Sequence, residues 1–589
     1  MNEISDAAYH LGFTAKPSKF VQRVIELTCW GFLTWPAIQW LADALVEDFG
    51  DLHPEIVKIS KAGCEGIYPS NIRRDILNFA KGSINFAKPI KVPLPCLVKK
   101  KGKAQREVGT VQYPIIFPHV IIDCLQKDFP DKWRSLIDYD LTKFWNCVPE
   151  DDPKLFQHPM MELPEWKSRA APLILHGDEV PFTKHGKLHV VSFSVLTSLG
   201  TTWDDTFLGF AFPTDCACHE KTHGRDTYWT LWKWYAHSLN QAFYGELLPH
   251  DPFGVVWDPV ILAAWVVHTT HGTYVVARSF GVVWILAWDL EYGANDIKML
   301  HFNSNRPCNF CGCDRRACSV RAVGPAAPWK RRLVPVGAPH PSNHPVWSIV
   351  GTSRFNNPGD LMHTGDLGVL LHIEGSSLWQ LVHDGPLVGT ITQKVAILDH
   401  EIKDIYHELG ITHRLPPLEL KMFQKKRGYH FLTAKAAHAR FFLPVMVKLC
   451  QRHYNGSPRD GHRLVALQTL QEIYSNIMQH GFFLPHGIPE KLLTLADSFL
   501  MHYSWLTKKA IEDGQRVFNF TMKFHLLWHI FYFSAYINPK ACWCYGFEDF
   551  MGIIARAGRN CSKGTDSSLV GIKLIDHWRL AYYYRLLQA

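Results

Sequence analysis

Residues 172–199, PLILHGDEVPFTKHGKLHVVSFSVLTSL, decide how the rest of the chain is read. An apolar run, Leu173-Ile174-Leu175, leads into a carboxylate at Asp178. A polar turn follows from Phe182 to Gly186, and a second β-rich run extends from Leu188 to Leu196. β-Branched and aliphatic residues between Pro and Gly turn signals predict a hairpin buried on at least one face. An Asp at the exit of the first strand is fixed in place by a rigid sheet, as a metal-binding carboxylate requires. An Asp closing a strand before a turn is also ordinary, so Asp178 gains meaning only from partners elsewhere.

Working outward, Thr206 to Phe212 (TFLGFAF) supplies a third strand. Three consecutive strands with the acid on the first are the opening of a ribonuclease H-like fold. Phe280 to Asp289 (FGVVWILAWD) repeats the pattern of an apolar strand ending in a carboxylate, and reads as a strand buried on both faces. Two central strands thus each deliver an Asp, with Asp296 a weaker rival to Asp289 because it lies beyond the strand end. Towards the C-terminus, CWCYGFEDFMGIIARAGRNC puts Glu548 and Asp549 in the first turn of a helix, where acids also suit the helix dipole.

Between these acids the chain is mostly amphipathic helix: Val395 to Leu409, Ala434 to Tyr454, Gly461 to Gln479 and Lys491 to Lys508. Residues 1 to about 160 read as a helical preface. Its densest basic run holds Lys99, Lys100, Lys101, Lys103 and Arg106; a second basic stretch is Lys330-Arg331-Arg332. Either could touch phosphates or form a solvated loop. At 589 residues the chain is too long for one small core. Its 47% hydrophobic and 20% charged residues are those of a globular protein, and a formal charge of +8 favours an anionic partner only weakly. The N-terminal stretch lacks the basic and apolar regions of a signal peptide, and fifteen Cys then point to a reducing compartment. The longest apolar runs, Phe280 to Trp288 and Leu526 to Phe533, fall short of a membrane span.

Cys and His form several candidate metal ligands. Cys216, Cys218, His219 and His223 lie close together but at irregular spacing. Cys308-x-x-Cys311 is a zinc-knuckle half-site, with Cys313 and Cys318 as spare thiols. The second half is expected at Asp360-Leu361-Met362-His363, where Asp360 also suits an N-cap. His525 and His529 stand at i and i+4 on one helical face. They lack the Glu of a zincin and read as a buried hydrogen-bonded pair.

In this order the motifs resemble those of the DDE transposases of eukaryotic cut-and-paste elements, nearest the Plavaka-like and Kyakuja-Dileera-Zisupton group. The matching stretches are LHGDEVPFT, WILAWDLEYGAND, RPCNFCGC, GDLMHTGDLG, KFHLLWH and GFEDFMG, spanning roughly Ala171 to Gly558. The resemblance implies an α/β RNase H-like catalytic core with a mixed sheet, interrupted by a large all-helical insertion and preceded by a helical N-terminal region. The expected divisions are residues 1–165, the two core pieces 166–300 and 516–589, a Cys/His segment 301–365 and the helical insertion 366–515. It implies Asp178, Asp289 and Glu548 as the acidic triad for Mg²⁺ or Mn²⁺, with Asp549 competing for the third place. Cys308, Cys311, Asp360 and His363 correspond to the family's C-x-x-C and D-x-x-H motifs, a zinc or structural site.

The implied chemistry is in-line phosphodiester hydrolysis and strand transfer, in which two metal ions ~3.5–4 Å apart stabilise attacking and leaving oxygens. The implied partner is DNA, with homo-oligomers, a nuclear location and no membrane. No zinc-finger spacing stands at the N-terminus, which leaves recognition of element ends unassigned. Two alternatives stay open: a catalytically inactive, transposase-derived DNA-binding or scaffold protein, and an RNase H-like nuclease.

Overall fold

The computed structural model describes residues 17–50, 53–81, 84–99, 105–137, 140–198, 200–245, 248–256, 279–316 and 318–588. The chain is a mixed α/β protein around a four-stranded sheet. In chain order its strands are β3 (Ala170–Pro181), β4 (Lys187–Val195), β5 (Thr206–Pro213) and β6 (Phe280–Ala287), placed in space as β5-β4-β3-β6. The first three form an antiparallel meander, and β6 runs parallel to β3. A parallel neighbour needs a crossover, and helix α4 (Thr227–Tyr244) lies in that connection and packs on β6. Every residue of β5 and β6 is buried, which accounts for their continuous apolar sequences.

Register sets the position of the acids. His176 of β3 pairs with Ala287 of β6, so Asp178 and Asp289 leave the same end of neighbouring parallel strands, each two residues on. Alternation then decides the faces. His176 and Asp178 share one face, where His176 stacks on Phe547 at 4.6 Å. Gly177 and His189 share the other, where His189 stacks on Tyr228 of α4 at 4.0 Å.

The N-terminal region is helical only in part. Helices α1 (Lys19–Cys29), α2 (Trp35–Phe49) and α3 (Pro69–Lys81) are followed by a ten-residue antiparallel ribbon, β1 (Ile90–Lys99) with β2 (Arg106–Ile115). The departure from an all-helical preface follows from period-two burial of Val92, Leu94 and Cys96, a strand pattern. The basic run therefore spans a hairpin: Lys99 ends one strand and Arg106 begins the next, while Lys100, Lys101 and Lys103 lie outside the described residues.

After β6 come α5 (Leu290–Asn295) and a π-helix (Met362–Leu370) that runs into α6 (Leu371–His383). From there to Phe533 the described regular elements are all helical: α7 (Ile391–Glu408), α8 (Ala436–Arg452), α9 (Pro458–Gln479), α10 (Ile488–Glu512) and α11 (Met522–Phe533). They close around their own apolar core, which includes Leu378, Phe442, Leu470 and Phe524. The chain then returns to the sheet, α12 (Tyr545–Ser562) against β3 and α13 (Ser567–Leu586) against β5. Among the described residues no helix is long and apolar enough to cross a membrane.

One glycine joins the sheet to the first loop of the acid site. A Cβ at Gly177 would collide with the phenol of Tyr292, which lies under β3 and donates or accepts a hydrogen bond with His189 Nε2 at 3.0 Å. Gly177→Ala is therefore expected to lower stability by about 1–3 kcal/mol in chemical denaturation. Gly552→Ala, with open space around it inside α12, should instead raise stability by roughly 0.5–1 kcal/mol.

Candidate active site and metal centre

Asp178, Asp289 and Glu548 reach one region from three different elements. Asp178 projects from β3 just beyond its last pair with β6. Asp289 caps α5, its Oδ1 accepting the Tyr292 amide at 2.6 Å. Glu548 stands in the first turn of α12, while Asp549 beside it faces solvent. The carboxyl of Asp178 is pushed up to about 7, by burial first and then by the charges of Glu548 and Asp289. Glu548 is raised too, chiefly by burial, with His363 opposing and Asp289 adding. Burial is the larger cause of both shifts, and the smaller like-charge contributions are those of carboxylates that lie near one another. Asp296 sits on the other face of β3, 3.6 Å from His189 Nδ1, so Asp289 is the acid that joins the cluster.

Asp360 and His363 stand here, and this corrects their assignment to the cysteine site. His363 Nδ1 lies 2.5 Å from Asp360 Oδ2, and its Nε2 lies 3.7 Å from Glu548 Oε1. Asp360 accepts backbone N–H groups of Met362, His363 and Cys544, each at 3.0 Å. Burial would raise its carboxyl, yet these bonds and His363 hold it below the usual range. Burial disfavours the charged ring of His363, but Asp360, Asp289 and Glu548 outweigh it and raise its pKa. The D-x-x-H spacing is one helical turn, so it fits an N-cap bonded to its own third residue as readily as a ligand pair.

The partners of Cys308 and Cys311 are instead His525 and His529 of α11. The four ligand atoms lie within 4.8 Å of one another, all on buried residues. Cys311 Sγ is 3.4 Å from His525 Nε2, which is 3.1 Å from His529 Nε2. Tetrahedral zinc, with bonds of ~2.0–2.3 Å, has edges of roughly 3.3–3.8 Å between ligands, so this Cys₂His₂ set suits a metal such as zinc. Cys311 is held well below the usual thiol range by hydrogen bonds from Cys308 and Cys313, which suits a thiolate ligand. The i, i+4 histidines were visible in the sequence, but their partners were not, being 214 residues away.

Other candidates are accounted for differently. Cys216, Cys218, His219 and His223 form no ligand cluster among the described residues; Cys216 accepts from Arg106 at 2.7 Å. Arg106 is an internal strut, paired with Asp215 at 3.0 Å and bonded to Ser567, which fastens β2 to α13. Lys330 is likewise neutralised inside the protein, 2.6 Å from Asp497 and over the Trp528 ring. Of the residues in the two basic runs that are described, Lys99, Arg331 and Arg332 are exposed.

Asp366 escaped the sequence reading altogether. Fully buried on the π-helix, it accepts the Tyr474 hydroxyl of α9 at 2.5 Å and the Tyr545 hydroxyl of α12 at 2.6 Å. It thereby ties the turn carrying His363 to the turn carrying Glu548. A buried Asp without a charged sequence neighbour gives no one-dimensional signal. No protein-family model and no curated protein matches the chain.

The metal centre predicts one zinc per chain by elemental analysis. Cys311→Ser and His529→Ala should lose it and melt well below the wild type, whereas Asp360→Ala and His363→Ala should keep it. Loss in the Asp360 variant with retention in the His529 variant would restore the original pairing.

Proposed function

We propose that the protein is a metal-dependent polynucleotidyl transferase of the DDE transposase type, with an RNase H-like core and a helical insertion. The observation that carries this is the meeting of Asp178, Asp289 and Glu548 although 370 residues separate the first from the last (548 minus 178). Half-buried carboxylates that crowd together with only His363 and Lys523 as nearby cations fit hard divalent cations, which accept oxygen ligands and keep several waters. When bound, Mg²⁺ or Mn²⁺ ions would lower the barrier to in-line attack on a phosphodiester by neutralising charge on the attacking and leaving oxygens. Asp178, Asp289 and Glu548 would hold them.

The remaining groups position and donate. Asp360 fixes the His363 ring through Nδ1, leaving Nε2 aimed at the acids. There it supplies a hydrogen bond to a phosphate oxygen, and its raised pKa keeps that donor protonated nearer neutrality. Asp366, through Tyr545, fixes the first turn of α12 and hence Glu548. This protein thus reads a nucleic-acid backbone at the open end of its parallel strand pair.

Purified protein with Mg²⁺ should nick plasmid DNA. Asp178→Asn, Asp289→Asn and Glu548→Gln should each reduce the rate by at least ~10³, while Asp549→Asn stays within about twofold. Equal nicking by the Asp178 variant would reject the assignment, as would cleavage confined to RNA or hybrid duplexes in matched assays.

Stability supplies an independent check. A carboxyl with pKa about 7 when folded and roughly 3.9 unfolded binds more protons in the folded state, so stability falls as pH rises through that window. Metal-free protein should therefore melt lower at pH 8 than at pH 5.5 through this group, and Asp178→Asn should raise the pH 8 value. Added Mg²⁺ should raise the wild-type melting temperature at pH 8 and leave that of Asp178→Asn nearly unchanged, by calorimetry.

A further inference from the structure

A cleft of about 780 Å³ adjoins the acid cluster, with Asp289 and His363 among its lining residues. Along it stand Arg315, Arg321 and Lys523 with one further carboxylate, Glu291; the half-buried ring of Phe302 lines it, and Phe520 backs the wall with a ring buried against Phe524. Lys523 Nζ donates to the Leu367 carbonyl at 3.1 Å and is acted on by the charges of Asp289, Asp360 and Glu291, while Arg315 donates to the neutral Asn303 side chain at 3.4 Å. Arg321 is exposed at the rim. The contrast with a second cleft is instructive: there Arg459 is paired with Asp384 and Asp513, and Arg463 with Asp460. His372 and Thr521, which also line it, each keep one polar atom, Nδ1 and Oγ1, buried behind the surface without a partner.

Cations and an aromatic ring beside a phosphodiester-cutting centre match one chemistry. Single strands bind to basic grooves whose aromatic side chains stack successive bases. The volume lies within the roughly 300–1,000 Å³ of a site for a small ligand, on the order of two nucleotides, and excludes a base-paired helix. We propose that this cleft receives a short unpaired DNA strand running from the phosphate at Asp178, Asp289 and Glu548, so that the duplex opens beside the cut. This rests on the function proposed above and names the form of its substrate. Opening a duplex costs free energy, and least where the bases are already unpaired. A preference for pre-opened DNA follows.

The test compares a blunt duplex with a forked duplex of the same composition. Binding is read by fluorescence anisotropy, with Ca²⁺ replacing Mg²⁺ to prevent cutting. A 2-aminopurine in one arm reports stacking. The fork should bind about tenfold more tightly, with quenched 2-aminopurine. Arg321→Ala and Phe302→Ala should each remove most of that advantage while changing blunt-duplex affinity less. Thermal melts establish that both variants fold; should Phe302→Ala fail, Arg315→Ala takes its place. Equal binding of fork and blunt duplex, or an advantage untouched by the variants, would overturn the inference, as would tighter binding of an RNA-armed fork. If Asp178-dependent nicking persists without a fork preference, only this inference falls; if no DNA is bound or cut, the proposed function falls with it.

Discussion

Carboxylates crowded at a half-buried site repel one another, and a fold that keeps them so must hold each from a rigid element. In this protein the restraint begins with the parallel pairing of β3 and β6, which places Asp178 and Asp289 at one end of neighbouring strands. Asp289 is then pinned by capping α5, and Tyr292 of that helix reaches beneath β3 at the one position without a side chain. The free energy for this crowding comes from elsewhere, chiefly from strands buried on both faces.

The third acid arrives after the helical segment, and buried bonds govern its approach. Asp366 accepts two tyrosine hydroxyls, one from α9 and one from α12, so the helical segment and the Glu548 helix share a fixed joint. Satisfied buried networks of this kind select one arrangement, because any slip strands a polar group in low dielectric. The Cys₂His₂ cluster makes a second joint at the base of the same segment. It draws Cys308 and Cys311, which precede the π-helix, onto α11, which follows the helices, and so closes a loop of some two hundred residues. Ligation there would remove the entropy of that long loop from the unfolded chain.

Cations also divide by partner rather than by local density. Arg106 and Lys330 belong to conspicuous basic runs, yet both are consumed by internal acids. Arg315, Arg321 and Lys523 lie in no such run, yet they line the cleft beside the acids.

The sequence by itself determined the four strands of the central sheet and their order along the chain, since apolar runs bounded by turn residues have few other solutions, but it missed the β1–β2 ribbon, whose strands are half exposed and interrupted by Pro and Lys. It marked the acids that end those runs, the mostly helical character of residues 395–508 and the C-x-x-C thiols. It left open whom each polar residue meets. The D-x-x-H spacing served a cap as well as a ligand pair, and the i, i+4 histidines were complete as a local pattern, so neither could name its partner. Tertiary structure decided that Asp360 and His363 attend the acids, that His525 and His529 complete the cysteine site, and that Asp366 joins two helices. Periodicity is a property of neighbours along a chain, whereas coordination and buried hydrogen bonding depend on distance in space between residues hundreds of positions apart.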